Sequence, residues 1–177
     1  MRKVIFGGAI SLDNFIARKD GAVDWLLWTK EVNEIMKDMW ATIDTMVMGR
    51  KTYEVAQRMG AGGGHAGVKT YVFSRTIKKR NTKQVSFVAD DAATFVRRLK
   101  EEEDGNDILV MGGGILAQSL FEADLIDQLG FNMQPVILGS GIPLFYEMSR
   151  QIDLELKECR QLSKGCVYVT YKVKHAK

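Results

Sequence analysis

The stretch DILVMGGGILAQSLF, from Asp107 to Phe121, decides the fold, because a buried strand runs through three consecutive glycines straight into a helix. In open α/β sheets, ligands bind beyond the carboxyl ends of strands, where helix N-termini present unpaired N–H groups. Glycines without Cβ atoms let an anionic oxygen approach those amides. A tight strand-to-helix turn without a ligand is the alternative. It stays open because the spacing matches neither the G-x-G-x-x-G nor the P-loop pattern.

Two further predicted strand ends carry positive charge. The strand Thr45–Met48 runs into Gly49–Thr52 at the start of a predicted helix, and the strand Lys69–Phe73 runs into Ser74–Thr76. Cations at a helix N-terminus oppose the helix dipole, so a compensating anion is expected there, and arginine binds phosphate through two donors at once. If the strands are neighbours, three cations converge on one anion: Arg50, Lys51 and Arg75. Solvated surface cations are the alternative.

Taken together, these strand ends predict a dinucleotide that carries an additional phosphate. Its pyrophosphate would bind the glycines of Gly112–Gly114, and its 2′-phosphate would bind the cations. Because only the phosphorylated form of the nicotinamide dinucleotide has that 2′-phosphate, the pattern favours NADPH over NADH as the cofactor.

The spacing of apolar residues predicts strands that alternate with helices along most of the chain. The predicted strands are Val4–Ile10, Thr45–Met48, Lys69–Phe73, Val85–Val88, Ile108–Met111 and Ile126–Met133. The predicted helices are Trp28–Thr42, Arg50–Gln57, Ala92–Glu103 and Ile115–Phe121. A β-hairpin follows, with strands Leu154–Leu162 and Cys166–Val173. This order predicts an α/β fold in a single domain over residues 1–177, with a central, mostly parallel sheet flanked by helices and a C-terminal antiparallel hairpin.

The bulk composition excludes several classes of protein. Hydrophobic residues make up 46% and charged residues 27% of the 177 residues, which is typical of a soluble globular protein. The net charge of +3 is mild and dispersed, and its one cluster in sequence, Lys78–Arg80, is expected to be a solvated turn rather than a nucleic-acid-binding face. No apolar stretch approaches the roughly 20 residues that cross a bilayer, and the N-terminus favours a strand over a signal peptide. We therefore expect a cytoplasmic protein without nucleic-acid or membrane partners.

The few cysteines and histidines predict neither a structural disulfide nor a metal site. Cys159 and Cys166 fall on the two strands of the predicted hairpin, and two buried thiols are favoured over a bridge in a chain without export signals. His65 lies in the glycine-rich segment Gly60–Gly67, which is expected to be a flexible loop, and His175 lies in the tail. Neither histidine has the companions in sequence that a histidine-based metal site needs.

At these glycine and arginine motifs the sequence resembles the dihydrofolate reductase superfamily, and in particular the branch that contains the C-terminal reductase domain of bacterial riboflavin biosynthesis. The stretches that carry the resemblance are VIFGGAISLDNFIA, DTMVMGRKTYE, TYVFSRT, DILVMGGGILAQSLF and LGFNMQPVILGSGIPLF. They extend from Val4 to Phe145, and the terminal hairpin also suits that fold. The resemblance implies a dihydrofolate-reductase-like fold and an NADPH-dependent reductase.

The resemblance also implies which residues would contact the cofactor. Ala9 and Ile16 would match the backbone contacts that hold the nicotinamide amide. Ser74 and Arg75 would match the adenosine 2′-phosphate site. The helix start that takes phosphates would comprise Gly49, Arg50, Lys51 and Thr52. The pyrophosphate and nicotinamide loop would comprise Gly112, Gly113, Gly114, Ile115 and Leu116.

The substrate side departs from the pattern of true dihydrofolate reductases, which have a carboxylate a few residues after the loop tryptophan. Counted from Trp25, that position is Lys30, and the nearby Glu31 and Glu34 are imperfect substitutes. Phe131–Met133 occupies the region of a supporting threonine, and Ala117 stands where those enzymes have a tyrosine. The segment QPVILGSGIPLF instead resembles the riboflavin-type branch, whose reductase opens a ribosylamino-pyrimidine to its ribityl form.

Acidic and aromatic residues near the predicted site are candidates for the chemistry. Hydride transfer needs the reduced ring close to its acceptor in a pocket with little water. Candidate catalytic proton donors, directly or through a held water, are Asp13, Asp24 and Glu31. Their structural alternatives are, in the same order, a loop cap, a helix N-cap and a solvated helix residue. Candidate substrate-binding residues, which could also be plain core, are Phe15, Trp25 and Trp28.

Three functional hypotheses remain open. The first is an NADPH-dependent reductase of a small heterocyclic substrate, which includes the pyrimidine reduction step of riboflavin biosynthesis, with pteridine or dihydrofolate reduction as the alternative. The pathway enzyme usually joins this domain to a deaminase with a metal-binding His/Cys set, which this sequence lacks, so a separate reductase on another small molecule is equally compatible. The second hypothesis is an NADPH-binding module without turnover, and the third is a structural dimer whose glycines only make turns. Related domains commonly form homodimers, and the apolar segment IPLFYEM, residues 142–148, could contribute to one.

Overall fold

The computed structural model describes residues 1–60, 64–77 and 81–175. Its strands are β1 (Val4–Ser11), β2 (Phe15–Ala17), β3 (Ile43–Gly49), β4 (Lys69–Phe73), β5 (Val85–Val88), β6 (Asp107–Met111), β7 (Gln128–Gln134), β8 (Ile142–Pro143), β9 (Leu154–Gln161) and β10 (Val167–Val173). Its helices are α1 (Lys30–Thr42), α2 (Arg50–Arg58), α3 (Ala92–Glu101) and α4 (Gly114–Glu122). The basic cluster Lys78–Arg80 and part of the predicted loop Gly60–Gly67 lie outside the described residues.

Eight of these strands form one sheet in the order β5-β4-β3-β6-β1-β7-β10-β9. All neighbours from β5 to β7 are parallel, whereas β10 runs antiparallel to β7 and β9 antiparallel to β10. The strands β2 and β8 form a separate antiparallel pair. Parallel neighbours need crossover connections, which the helices supply. The predicted architecture, a mostly parallel sheet with a C-terminal antiparallel hairpin, is confirmed.

An apolar layer covers each face of the sheet. On one face α3 and α4 bury Val96 and Leu120, and on the other face α2 buries Tyr53. The central strand β6 contributes to both layers in turn, with Ile108 in the first and Leu109 in the second. Because side chains of a strand alternate between the two faces, a strand covered on both sides shows a continuous apolar run. That run is the pattern from which β6 was predicted.

The helix α1 begins later than its apolar pattern predicts. It starts at Lys30 because Thr29 is its N-cap residue, whose hydroxyl accepts a hydrogen bond from the Val32 amide at 3.3 Å. Trp28 therefore lies outside the helix, and 54% of its surface is exposed. The prediction that Trp28 opens the buried helical face is wrong, since a capping threonine two residues into the predicted helix overrides the apolar spacing.

Other differences concern where elements begin and end. The strand β7 begins at Gln128 rather than Ile126, although Ile126 is only 1% exposed. The segment Gln134–Pro143, predicted to be irregular, includes β8, which pairs with β2. An apolar residue is expected to be buried, but its apolar character does not show whether it is hydrogen-bonded to a neighbouring strand. Tertiary pairing therefore sets these boundaries.

The two cysteines are free, but their environments differ. Cys166 is buried, whereas Cys159 is exposed on β9. The expectation of two buried thiols is therefore wrong for Cys159. The reason is topological: β9 is the outermost strand of the sheet, and all but one of its residues are exposed.

Neither a membrane-spanning helix nor a metal cluster is found in the part of the chain that the structure describes. No helix there is both long and apolar enough to cross a bilayer, and His, Cys, Asp and Glu nowhere gather in threes with the spacing of metal ligands. His65 stacks on Trp40 with ring centroids 4.4 Å apart. His175 contacts Asp124 and Asp127. Each histidine thus contributes to packing or to polar contacts within the protein.

Candidate functional site

The adjacent parallel strands β3 and β6 both lead directly into a helix at the carboxyl edge of the sheet. Their register aligns Met48 with Met111, so the two helix starts lie side by side. The N-cap residue is Gly49 for α2 and Gly113 for α4, and neither helix has a side-chain cap hydrogen bond. This confirms that the strand ends singled out in the sequence are neighbours.

The other two helices are capped by side chains. Thr29 accepts from the Val32 amide at the start of α1, and Asp91 accepts from the Thr94 amide at the start of α3. An N-cap oxygen satisfies one of the four N–H groups that a helix start leaves without a partner. The N-termini of α2 and α4, without such an oxygen, therefore retain their affinity for an anion from outside the protein.

Gly112 joins the two helix starts. Its φ is 98°, in the region that favours glycine, and a Cβ at this position would lie 2.0 Å from the Thr52 hydroxyl oxygen. The first turn of α2 thus contacts the glycine loop directly. Any side chain at position 112 would force the two apart, so this glycine is required whether or not a ligand binds.

The three consecutive glycines have different structural causes. A Cβ at Gly114 would lie 2.5 Å from the Leu144 carbonyl oxygen and from a ring carbon of Tyr146, so that glycine is explained by packing. Gly113 is more open, since its nearest neighbour would be the Ile16 side chain at 3.6 Å. Gly49 has no atom within 4 Å of its ideal Cβ position. The turn interpretation therefore explains Gly112 and Gly114, whereas the anion interpretation rests on the open space at Gly113 and Gly49.

The predicted cations follow two neighbouring strands. β4 lies beside β3 with Phe73 aligned with Gly49, which brings the starts of the two cationic segments to the same edge. Arg50 forms an ion pair with Glu54 at 3.1 Å, one turn along α2. Lys51 and Arg75 are exposed, and neither forms an ion pair within the described ranges. The positive charge of Lys51 and Arg75 is therefore available to a ligand, whereas that of Arg50 is partly neutralised.

Ser74 is the polar residue next to Arg75, at the end of β4. Its hydroxyl oxygen accepts from the amides of Thr76 and Ile77 at 3.2 and 3.0 Å. This turn fixes the backbone that carries Arg75. Because only the oxygen lone pairs are used, the hydroxyl hydrogen can still be donated to an anion.

The remaining predicted cofactor residues divide into two groups. Ala9 is half-buried on β1, and Ile16 on β2 lies against Gly113. Ile115 is 69% exposed in the first turn of α4, whereas Leu116 packs against the core layer under that helix. Leu116 therefore supports the loop, and Ile115 borders the open space in front of it.

Asp13 is held by the loop that it caps. Its carboxylate accepts from the Ser11 hydroxyl at 2.7 Å and from the amides of Leu138 and Gly139 at 3.1 and 2.8 Å. The hydrogen bond from Ser11 is the largest cause of its lowered pKa. A carboxylate that is stabilised in its ionised form is a poor proton donor near neutral pH.

Asp24 and Glu31 are also bound within the protein. Arg18 donates to Asp24 at 2.6 Å, and this hydrogen bond lowers the pKa of Asp24. Glu31 accepts from its own backbone amide and from the Ser163 hydroxyl at 2.8 Å, which lowers its pKa to about 2. Asp24 precedes no helix in the structure, so the N-cap alternative proposed for it is wrong. The structure gives all three candidate acids a structural partner.

Several buried polar atoms on the α1 side of the sheet have no hydrogen-bond partner among the described residues. They are Trp25 Nε1, Asn132 Oδ1 and Gln134 Nε2. Gln134 is 2% exposed, and its Oε1 accepts from the Leu27 amide at 2.9 Å, which ties the tryptophan loop to β7. Asn132 aligns with Ala9 of the adjacent β1. Unpartnered buried donors and acceptors at a strand end are the groups that a polar ligand would satisfy.

Asn132 and Gln134 were not among the predicted site residues, although the sequence contains a signal for them. In QLGFNMQ the polar or small residues alternate with Leu129, Phe131 and Met133. Alternation places Asn132 and Gln134 on the same face of β7. The alternation does not predict that Gln134 is buried under the Leu27 amide or that Asn132 is half-buried.

The three predicted aromatic wall residues have different surroundings. Trp25 is buried, with 8% of its surface exposed. The Phe15 ring lies close to Gly141: a Cβ added to this glycine would be 3.2 Å from the ring. Trp28 lines a shallow depression with Met36, Trp40 and His65, and none of the predicted cofactor residues lines it.

Comparison with known proteins agrees with this geometry. The model of the RibD C-terminal domain family matches residues 2–168. The chain is 35% identical over 165 residues to the uncharacterized protein YwjB of Bacillus subtilis, covering 93% of this chain and 94% of that protein. A Shewanella sp. PV-4 protein provisionally assigned to riboflavin biosynthesis superposes with a TM-score of 0.85 at 24% identity, covering 99% of this chain and 100% of that chain. Dihydrofolate reductase from Enterococcus faecalis, solved with NADP(H), gives 0.67 at 18% identity, covering 97% and 96%.

The fold is therefore dihydrofolate-reductase-like, as the sequence resemblance implies. The family match covers both strand ends that form the candidate site, together with the carboxyl end of β7. Because it also spans nearly the whole chain, this protein belongs to the RibD C-terminal domain family.

Proposed function

We propose that this protein is an NADPH-dependent reductase that transfers a hydride to a small heterocyclic substrate. One observation carries the proposal: α2 and α4 begin side by side at glycine N-caps, without side-chain caps, and are joined by the contact of Gly112 with Thr52. Two exposed cations, Lys51 and Arg75, lie at the same edge of the sheet. This arrangement suits a ligand with two separate phosphate groups.

The donor set fits NADPH in detail. The open amides at Gly49 and Gly113 would hold the pyrophosphate, and Arg75 with the Ser74 hydroxyl would hold the adenosine 2′-phosphate. Ala9 and Ile16, near the glycine loop, would place the nicotinamide ring. When bound, the cofactor supplies a hydride from its reduced ring. The protein contributes position and the exclusion of water.

The acceptor would lie between β7 and α1. Trp25 Nε1 and Gln134 Nε2 are donors, and Asn132 Oδ1 is an acceptor, so the unpartnered groups there are neutral. The dihydrofolate reductases instead use a carboxylate, and Lys30 occupies that position in this chain. This difference favours a pyrimidine-type substrate, as in the reduction step of riboflavin biosynthesis, over a pteridine or dihydrofolate. A proton would come from water, since Asp13, the predicted acid on the loop after β1, has a lowered pKa and is stabilised in its ionised form.

A second candidate function is an NADPH-binding module without turnover. It is favoured by one observation: the three predicted acids, Asp13, Asp24 and Glu31, all have structural partners and lowered pKa values. Both candidates predict NADPH binding, and only the reductase predicts oxidation of NADPH by an acceptor. A panel of pyrimidines, pteridines and quinones, followed by NADPH absorbance, separates them.

Cofactor binding is tested by titration with NADPH and NADH, using energy transfer from the tryptophans to the reduced nicotinamide. We expect saturable binding of NADPH in the micromolar range and weaker binding of NADH. The substitution Arg75→Met should weaken NADPH binding by roughly tenfold to a hundredfold, because a charge-assisted contact to the 2′-phosphate is lost, and should leave NADH binding unchanged.

The matched control is Arg98→Met, which removes an exposed arginine of α3 that pairs with Asp90 at 3.0 Å and is not assigned to the cofactor. Its affinity for both dinucleotides should equal that of the wild type. Equal affinity of the unmodified protein for NADPH and NADH would contradict the assignment of Arg75. A titration with NADPH that never saturates would contradict the proposed function as a whole.

A further inference from the structure

The outer edge of the sheet is unusual in its length and composition. β9 is the last strand of the eight-stranded sheet, and no described strand pairs with its outer side. Seven of its eight residues are exposed, and Glu158 is half-buried. The strand has no proline, and its leucines Leu154 and Leu156 are 37% and 54% exposed. The free N–H and C=O groups of such an edge can template pairing with another chain.

We propose that β9 pairs antiparallel with β9 of a second copy of this chain, about a two-fold axis between Lys157 and Glu158. In this register Lys157 lies opposite the partner's Glu158, and Glu155 lies opposite the partner's Arg160. Every charged residue of the strand then faces an opposite charge of the partner, in addition to the ion pairs within the strand, Lys157 with Glu155 and Arg160 with Glu158. Opposite charges that face each other across two strands stabilise the pair.

Neighbouring registers do not share this complementarity. A shift of the axis onto Glu158 places two glutamates face to face, and a shift onto Lys157 places two lysines face to face. Like charges directly opposite each other destabilise a strand pair. The charge sequence of β9 therefore selects one register of self-pairing.

A bulge in β9 makes this register sterically possible. Residues opposite each other in an antiparallel pair point to the same face, but in a regular strand Leu156 and Cys159 would point to opposite faces. In β9 the register against β10 shifts, so that Leu156 aligns with Tyr171 and Cys159 with Val169. The extra residue, Lys157, restores Leu156 and Cys159 to the same face.

Glu155 and Arg160 also point to a common face, which is the face of the sheet opposite to that of Leu156 and Cys159. Glu155 aligns with Lys172, and Arg160 aligns with Tyr168, which lie on one face of β10. The Arg160 guanidinium sits 5.5 Å from the centroid of the Tyr168 ring, which confirms that it is directed to this face. The paired strands would thus carry Glu155–Arg160 contacts on one face and Leu156–Cys159 contacts on the other.

This interface differs from the segment IPLFYEM, which the sequence suggested for self-association. Within that segment Leu144 is buried, and Tyr146 packs against Gly114 inside the same chain. β9 lies three strands beyond β1, at the far end of the sheet from β4. Pairing there leaves the carboxyl edges of β3 and β6 open, so the inference is independent of the proposed function.

The first test exploits charge reversal in two separate proteins. The full-length variants Glu155→Arg and Arg160→Glu each bring like charges together in a homodimer, so each should dimerise roughly tenfold more weakly than the wild type. An equimolar mixture restores both attractive contacts, so it should sediment as a dimer that contains one chain of each variant. The control Arg98→Glu, far from β9, should sediment like the wild type.

The second test is a cysteine cross-link. In the proposed register the substitution Leu156→Cys places a thiol directly opposite the partner's Cys159, at a Cα separation that a disulfide can bridge. Mild oxidation should then give a covalent dimer on a non-reducing gel. The wild type and the control Leu154→Cys, which faces the partner's Gln161, should not cross-link.

Several outcomes would overturn the inference. A wild-type protein that remains monomeric at high concentration excludes the dimer. Dimers that persist in both charge variants, or a mixture that fails to restore the dimer, place the interface elsewhere. Equal cross-linking of Leu154→Cys and Leu156→Cys excludes the register. Circular dichroism melts of each variant establish that it is folded, so a loss of dimer is not a loss of structure.

Discussion

The amino and carboxyl edges of the central sheet differ in whether their cations are paired within the protein. At the amino edge Arg2 is 6% exposed and is bound by Asp44, by Glu102 at 2.5 Å and by Thr45 at 2.6 Å. On the same edge Lys100 contacts Asp127 at 2.6 Å. At the carboxyl edge, the exposed Lys51 and Arg75 form no ion pair within the described ranges, and two helices begin without side-chain caps.

This difference separates scaffold from candidate site. A buried charge must be paired inside the protein, since an unpaired one costs several kcal/mol. At the amino edge the two buried cations, Arg2 and Lys100, are paired inside the protein. At the carboxyl edge the cations and helix N-termini are available to an external anion.

The largest expected effect is the loss of stability when the amino edge is broken. Arg2→Met leaves Asp44 and Glu102 without their guanidinium, and because Glu102 is half exposed we expect a loss of about 2–3 kcal/mol in the free energy of unfolding. Urea unfolding followed by circular dichroism measures it. The exposed pair removed by Arg98→Met should cost less than about 1 kcal/mol. Equal losses in the two variants would remove the distinction between the edges.

An intermediate effect is expected from two glycines of the carboxyl edge. Gly112→Ala introduces a Cβ at a positive φ and 2.0 Å from the Thr52 hydroxyl oxygen, so we expect a loss of about 1–3 kcal/mol in stability. Gly49→Ala meets no atom within 4 Å, so its stability should change by only roughly 0.5 kcal/mol.

Titration of the Gly49→Ala and Gly112→Ala variants with NADPH separates an effect on binding from an effect on stability. Gly49→Ala should bind NADPH more weakly despite its unchanged stability, because the added methyl group occupies the space in front of α2. If Gly49→Ala binds NADPH like the wild type, the open space there does not hold a phosphate. If Gly112→Ala melts like the wild type, the close contact with Thr52 is not a constraint.

The smallest effect concerns Glu31, a carboxylate at the start of α1. Its pKa falls from 4.5 to about 2 in the folded protein. A group with a lowered pKa stabilises the fold above its unfolded pKa, and this contribution disappears as the pH falls from about 4.5 toward 2. Glu31→Gln should therefore flatten the decline of the urea midpoint between pH 5 and pH 3, an interval set by that shift. A turnover rate lowered by Glu31→Gln at pH 7 would instead support a catalytic role.

Much of the fold could be predicted because the signals were local. The apolar run Ile108–Met111 followed by glycines predicted β6, and the strands Lys69–Phe73 and Val85–Val88 have the predicted boundaries. The start of α1 was wrong because Thr29 caps the helix after Trp28. The N-cap residue determines at which residue a helix starts, whereas the spacing of apolar residues locates the start only to within a few residues.

The strand ends proposed to hold the cofactor could be found from the sequence, whereas the buried polar groups proposed to meet the acceptor were not predicted. Glycines and cations at strand ends are adjacent in sequence to the strands that position them. In contrast, Gln134 is buried and accepts a hydrogen bond from Leu27 in the Trp25 loop, which is distant in sequence. The proton donors Asp13, Asp24 and Glu31 stay a prediction, although their hydrogen bonds argue for structural roles.

Local residue patterns were enough to specify the alternating strands and helices, the glycine turn after β6 and the cationic segments after β3 and β4, because each depends on neighbours along the chain. Only the folded chain decided that Gly112 is required by Thr52 and Gly114 by Leu144, whereas Gly113 and Gly49 face open space. The bulge that gives Leu156 and Cys159 a common face likewise exists only in the pairing of β9 with β10. These features arise from contacts between segments far apart in sequence, and such contacts have no signature in the order of residues.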